Sequence, residues 1–159
     1  MPDRKKSIRV KKRHTYKTLV IKGQGNQILY VSKLYKGTVS DYTMLKTEFP
    51  AHIHWFENKE VRIDLGFQGF ATDYCCLRVR IPHKRKRVAN GESNALTGEQ
   101  VAHNKELASE RVVIEHCISR LKQMRFIQQT IRIRCLDFLN QLVQLAAALA
   151  NFKLNNNFA

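Results

Sequence analysis

Two acids stand out by their surroundings. Asp64 closes a short apolar run and opens a glycine-bearing turn in Val61-Arg62-Ile63-Asp64-Leu65-Gly66-Phe67-Gln68-Gly69-Phe70. Glu115 is the only acid from Arg111 to Arg134, a stretch that holds six Arg or Lys. A carboxylate at a strand end and another on a basic helix are suited to share divalent cations, while the surrounding positive charge holds the polyanion on which they act. The chemistry this points to is metal-dependent attack on a phosphodiester. Such a reaction needs an activated oxygen nucleophile, a stabilised leaving oxygen and neutralised non-bridging charge, and two Mg²⁺ ions about 3.5–4 Å apart supply all three. Mg²⁺ is hard and takes oxygen ligands, so carboxylates suffice where zinc would call for His and Cys.

Each acid also has a plainer reading. Asp64 before Gly66 is a common turn former. Glu115 stands four residues after Arg111, the spacing of an ordinary helix-surface ion pair worth a few tenths of a kcal/mol. Asp41, beside Ser40, is favoured in the first turn of a helix by the helix dipole.

Composition narrows the partner. The 159 residues, 43% of them hydrophobic, bury one sizeable core and so predict one domain. The 28 Lys and Arg against 13 Asp and Glu give a formal net charge of +15, which calls for a polyanion, with DNA or RNA ahead of an anionic membrane. The most apolar run, Leu142 to Ala150, is too short to span a bilayer and contains Gln144. Cys75, Cys76, Cys117 and Cys135 lack Cys-x-x-Cys spacing and read as free thiols in a reducing compartment. His52 and His54 have no third ligand nearby and carry no metal role. The N-terminus leads into more charge rather than a signal-peptide core, so the expected location is the cytoplasm, in association with the nucleoid.

The elements that must position the acids follow from local rules. Residues 1–13 form a basic arm with Arg4, Lys5, Lys6, Arg9, Lys11, Lys12 and Arg13 against one acid, Asp3. Residues 14–153 form the domain and 154–159 a polar tail. The β-rich runs Thr15–Ile21 and Ile28–Ser32 flank a glycine-bearing turn and predict an antiparallel hairpin. Ser40 caps a short helix that stops before Pro50. Strands are expected at Val61–Ile63, as a buried strand, and at Leu77–Ile81, which alternates at period two and ends at Pro82 before the basic loop His83-Lys84-Arg85-Lys86-Arg87.

Thr97-Gly98-Glu99-Gln100 has the spacing of a capping box and starts a helix that runs to about Arg125. Its predicted apolar stripe is Leu107, Ile114, Ile118 and Leu121, with Arg111, Glu115 and Lys122 along the flank, which places Glu115 at the edge of the core. A basic connector through Arg132 and Arg134 leads to a last helix from Leu136 to about Phe152.

The blocks Lys11-Lys12-Arg13-His14-Thr15-Tyr16-Lys17-Thr18, Gly37-Thr38-Val39-Ser40-Asp41, Asp64-Leu65-Gly66-Phe67-Gln68-Gly69, Ile81-Pro82-His83-Lys84 and Arg111-Val112-Val113-Ile114-Glu115-His116 with Arg120-Leu121-Lys122 resemble, in order, those of DDE transposases of the Harbinger-like, bacterial insertion-sequence type. The resemblance covers about residues 8–153. It implies an α/β (α+β) fold, RNase H-like with a mixed central sheet flanked by helices, and DNA cleavage and strand transfer at element ends with Mg²⁺ or Mn²⁺. Carried over by residue, Asp64 and Glu115 match the second Asp and the Glu of the metal site, and Asp41 matches an accessory acid. The family's first Asp lies on a strand upstream of the first block, a segment that would precede Met1, so the first strand is expected to be missing. The chain then reads as a decayed fragment or as half of a split or frameshifted enzyme, partnered by DNA and by an upstream transposase segment or a second copy of itself. Expected phosphate contacts are Lys11, Lys12, Arg13, His14, Lys84, Arg85, Lys86, Arg87, Arg111 and Lys122. The alternative is a non-enzymatic basic DNA-binding protein that keeps the fold without the reaction.

Overall fold

The computed structural model describes residues 15–85, 95–128, 133 and 135–156. The basic arm, with Lys11, Lys12, Arg13 and His14, lies outside the described residues, as do Lys86 and Arg87, the connector residues Arg132 and Arg134, and 157–159 of the tail.

Strand β2 (Val20–Lys22) and strand β3 (Ile28–Val31) form the expected hairpin, with Val20 opposite Val31 and a register shift after Ile21. Alternation at period two sends its side chains both ways. Leu19 and Ile21 enter a core with Leu45, Phe56, Phe70 and Tyr74. Val20, Ile28 and Val31 enter a second core with Cys117, Leu121, Ala146, Ala147 and Ala150. Helices therefore cover both faces of the hairpin.

On the first face lies α1 (Asp41–Glu48), whose N-cap Ser40 accepts a hydrogen bond from the Thr43 amide. It is followed by α2 (Phe70–Asp73), a single turn entered through Gly69 at φ 98°, where a side chain would be strained and would also press on the Tyr42 ring. On the second face lie α3 (Gly98–Lys122) and α5 (Leu136–Asn155). The capping box of α3 is complete: Thr97 accepts from the Gln100 amide, and the Gln100 side chain accepts from the Thr97 amide. Helix α3 ends at Lys122, three residues short of the expected Arg125, and the short α4 (Arg125–Gln128) follows; α5 continues past Phe152 into the expected tail.

The expected single central sheet is instead three two-stranded ladders among the described residues. Strand β1 (Tyr16–Lys17) pairs antiparallel with β4 (Tyr35–Lys36), and β5 (Glu60–Arg62) pairs parallel with β6 (Arg78–Arg80). Strand and helix are mixed in an α+β arrangement, but among the described residues β2 is bonded to β3 alone and β5 to β6 alone, and no described strand joins the antiparallel half to the parallel half. The outer side of β3 is covered. Asn151 of α5 accepts from the Ile28 amide and donates to its carbonyl, and Asn140 accepts from the Leu34 amide. The β5 strand is half-buried rather than buried: Val61 and Ile63 pack on the first core, while Glu60 and Arg62 are exposed on the other face.

The long-helix stripe is also rotated from expectation. Leu107, Cys117 and Leu121 are buried, and Ile114 and Ile118 are only half-buried. Cys117 packs in the second core with Ile28, Leu121, Ala146, Ala147 and Ala150. There its thiol also donates to the carbonyl of Asn26 at the hairpin turn, and Arg120 donates to the same oxygen at 2.7 Å. Cys75, Cys76, Cys117 and Cys135 are free thiols, as expected.

Glu48 at the end of α1 accepts from the hydroxyls of both Tyr30 and Tyr35. Burial first, and the hydrogen bond to Glu48 second, push the Tyr35 hydroxyl up to about 12 from an ordinary value of 10.0 and push Tyr30 higher still. Because the folded-state values lie above the unfolded ones, the stabilisation is complete below pH 10 and is lost as pH rises through 12. Chemical denaturation at pH 9, 10.5 and 12 should show falling stability. A Tyr35→Phe chain should fall less steeply, because it has lost one of the two hydroxyls that donate to Glu48.

Candidate active site

Asp64 sits two residues beyond β5, where it caps a single 3₁₀ turn at Leu65–Phe67 and one of its oxygens accepts the Leu65 amide at 2.7 Å. The turn-forming role is therefore real, and it leaves the other oxygen for a second partner. Oδ2 faces Arg111 Nη1 at 3.3 Å, and the same guanidinium, through Nε, lies 3.4 Å from Glu115 Oε1. Two acids 51 positions apart in sequence thus meet on one cation. Their oxygens stand no more than about 9 Å apart, the reach of two such contacts across one planar guanidinium. That range accommodates a centre of two cations about 4 Å apart with oxygen ligands at about 2 Å.

All three side chains are more than half open to solvent or nearly so: Arg111 57%, Asp64 50% and Glu115 60%. The expected placement of Glu115 at the core edge is thus corrected, because the rotation that buries Cys117 carries position 115 outward. Asp41, at the start of α1, lies against the same turn. A Cβ on Gly66 would stand 3.2 Å from its Oδ2, so the absence of a side chain at 66 lets the carboxylate approach. Its Oδ1 accepts from Lys17 Nζ at 2.9 Å.

The donor set is entirely carboxylate oxygen, which suits a hard divalent cation. Among the described residues, however, no group of three or more His, Cys, Asp or Glu is gathered closely enough to hold a metal ion. Two converging carboxylates with Arg111 between them, and a third neutralised by Lys17, are what the described residues provide.

Beneath the acids lies a charge network that sequence reasoning did not find. Arg80 of β6, with its side chain only 10% exposed, donates to Glu110 at 3.0 Å and contacts Glu106 at 2.8 Å and Glu60 at 3.9 Å. Arg62 of β5 reaches Glu110 at 3.3 Å and Glu60 at 3.2 Å. The hydrogen bond from Arg80 holds the Glu106 carboxyl below its ordinary range. A buried cation costs desolvation unless matched, so Arg80 ties the polar face of the β5–β6 pair to α3. Glu110 directly precedes Arg111, and Arg62 stands two residues before Asp64. The network therefore fixes the spacing of the two elements that present the acids. Its signal in the sequence was the pair Glu106 and Glu110, one helical turn apart, opposite the alternating Arg78 and Arg80.

The expected phosphate contacts are partly placed. Lys84 and Arg85 are exposed after β6, on a loop pinned to α3 by Asn104, which accepts from the His83 amide and donates to its carbonyl. Lys122 is exposed at the end of α3, three turns from Arg111 on the same side of the helix. No described helix is long and apolar enough to cross a membrane.

No curated protein and no solved structure matches the chain. A site built of carboxylates on a strand end and a long helix, within a strongly basic α+β domain, nevertheless accords with the family model that does match, the DDE superfamily endonucleases. That match runs over residues 6–151, nearly the whole sequence, and the chain belongs to that family.

Proposed function

We propose that this chain is the catalytic portion of a DNA transposase of the Harbinger-like, insertion-sequence type, acting in divalent-metal-dependent cleavage and strand transfer. The observation that carries the reading is the convergence of Asp64 and Glu115 on one cation, from elements whose spacing is held by the Arg80 network. Asp64 and Glu115 are the metal-binding and catalytic carboxylates, and Asp41 is an accessory acid beside the Gly66 turn. Mg²⁺ or Mn²⁺ bound there would polarise the phosphate and activate the attacking oxygen. The domain is RNase H-like, and the missing element of its sheet is a strand between β2 and β5. Each of these strands has a ladder partner on one side only among the described residues, and isolated two-stranded ladders are marginal by themselves. A strand supplied by an upstream segment or a second copy would join the two halves and bring a further carboxylate.

Arg111 would stabilise the phosphate, and Lys84, Arg85 and Lys122, with Lys11, Lys12, Arg13, His14, Lys86 and Arg87, would hold the DNA backbone, placing the protein on the nucleoid. A second reading, a DNA-binding remnant without catalysis, is favoured by one observation: each of the three acids already lies against a protein cation, Asp41 against Lys17 and both Asp64 and Glu115 against Arg111.

Incubation with supercoiled DNA and Mn²⁺ separates the two. The chain alone should leave the DNA uncut, and addition of a segment that completes the sheet with a further carboxylate should produce nicks. Binding without nicking in both mixtures would support the remnant. Robust nicking by the chain alone, unaffected by Asp64→Asn, would place the chemistry elsewhere.

A further inference from the structure

Helix α5 carries two apolar stripes. Leu139, Val143, Ala146, Ala147 and Ala150 form the first; all are buried, and the three alanines belong to the second core. Phe138, Leu142, Leu145, Leu149 and Phe152 form the second, at successive intervals of four, three, four and three residues, the heptad spacing that keeps side chains on one line along a helix. Leu142 is half-buried, whereas Phe138 is 47%, Leu145 54% and Leu149 40% exposed. At 100° per residue the two stripes together take up roughly 200° of the helix surface, while a helix that faces one core needs only about 100°. The described residues bury the first stripe and leave the second largely open to water.

The charge pattern selects what covers it. No charged residue stands from Phe138 to Phe152, although the chain as a whole carries +15. A polyanion finds no cation on this surface, and the basic arm finds no acid. Two copies of so basic a chain repel one another, so an uncharged apolar surface is where they can meet. The charges that bound the stripe have opposite signs: Asp137 precedes it and Lys153 follows it, each eight positions from Leu145. Two α5 helices packed antiparallel about Leu145 bring Asp137 level with Lys153 of the partner subunit, whereas parallel packing would bring like charges level. A shallow groove between β3 and α5, lined by Leu29, Tyr30, Gln144 and Ala148, runs beside the stripe, and Leu29 is 65% exposed there.

We propose that the second stripe of α5 is a self-association surface, on which two copies of this chain pack α5 against α5 antiparallel with Leu145 near the two-fold axis. The inference is independent of the metal-binding reading, and it joins the copies by helices rather than by strands. At 1.5 Å per residue the stripe is about 21 Å long, so the two helices bury on the order of 1,000 Å² in total, near the lower limit for a specific interface. The dimer is accordingly weak, with a dissociation constant on the order of 1–100 µM.

Sedimentation equilibrium of the full chain tests it, over a concentration series that spans this range and in high salt to screen the general repulsion. The mass should rise with concentration from 18.5 kDa toward twice that value. Leu145→Lys sets two like charges together at the axis and should weaken association about tenfold or more, with an unchanged circular dichroism melt because the side chain is exposed. Asp137→Lys should weaken association about two- to fivefold, and adding Lys153→Asp to it should restore the parent value. A monomer at every concentration overturns the proposal. So does a dimer that Leu145→Lys leaves intact, which would place the contact elsewhere, and a charge swap that fails to restore association overturns the antiparallel arrangement. A chain that stays monomeric but binds vesicles of phosphatidylcholine and phosphatidylserine, and loses that binding in Leu145→Lys, makes the stripe a lipid-facing surface instead.

Discussion

If the proposed metal site holds, Glu115→Gln is expected to lower metal-dependent cleavage by about three orders of magnitude or more, because it would remove one of few charged ligands. The substitution keeps the shape of the side chain. What it removes in the metal-free state is a 3.4 Å contact with Arg111 between exposed groups, worth a few tenths of a kcal/mol at most. Thermal unfolding should therefore stay within a degree or two of the parent, and DNA affinity within about twofold, since Glu115 makes no phosphate contact. Asp64→Asn should lose cleavage to a similar extent. An amide there still accepts the Leu65 amide hydrogen bond, so the 3₁₀ turn survives and the loss reports chemistry rather than folding. Asp41→Asn should cost less, because that carboxylate is matched by Lys17 and only borders the turn. If Glu115→Gln cut DNA like the parent, the convergence of the two acids on Arg111 would be an ordinary surface ion-pair cluster.

The parts of this architecture written in neighbouring residues could be read from the sequence. Ser40 and Thr97 are caps whose hydrogen bonds close within three residues, and the hairpin follows from β-rich runs about a glycine turn. Elements set by distant partners could not. The single turn α2 is held by Phe70 packing on Phe56 and Tyr74, and two-residue strands such as β1 and β4 carry too few residues for a period to register. The inward turn of Cys117 rests on packing with Ile28, Ala146, Ala147 and Ala150, and its thiol reaches the carbonyl of Asn26, 91 positions earlier. At the site, the residue types and settings of Asp64 and Glu115 marked them as candidates, each beside a plainer reading as a turn former or a helix-surface ion pair. Their meeting on Arg111 was not marked in the same way, since nothing local specifies how β5 lies against α3. The Arg80 network does specify it, through contacts 26 to 48 positions apart in sequence.

Duplex DNA affinity should fall about a thousandfold between 50 and 200 mM salt if six of the proposed basic contacts engage phosphates, since each neutralised phosphate contributes about 0.9 to the slope of log K against log salt. The charge excess of +15 makes this expectation insensitive to which six are used. Their distribution is testable separately. Replacing Lys84, Arg85, Lys86 and Arg87 together by Gln should reduce the slope by about 3 to 4 if all four lie on the backbone, and by nearly nothing if the loop points away. The pinning of His83 by both polar atoms of Asn104 favours the first outcome, because it fixes where the loop leaves the domain, beside α3, the helix that carries Arg111 and Lys122. Asn104→Ala should therefore weaken DNA binding while changing the slope much less than the quadruple change, because it frees the loop without removing a charge. An affinity indifferent to salt would remove the phosphate backbone as the partner. A steep slope left intact by the quadruple change would move the contact surface to the remaining bases of the arm and of α3.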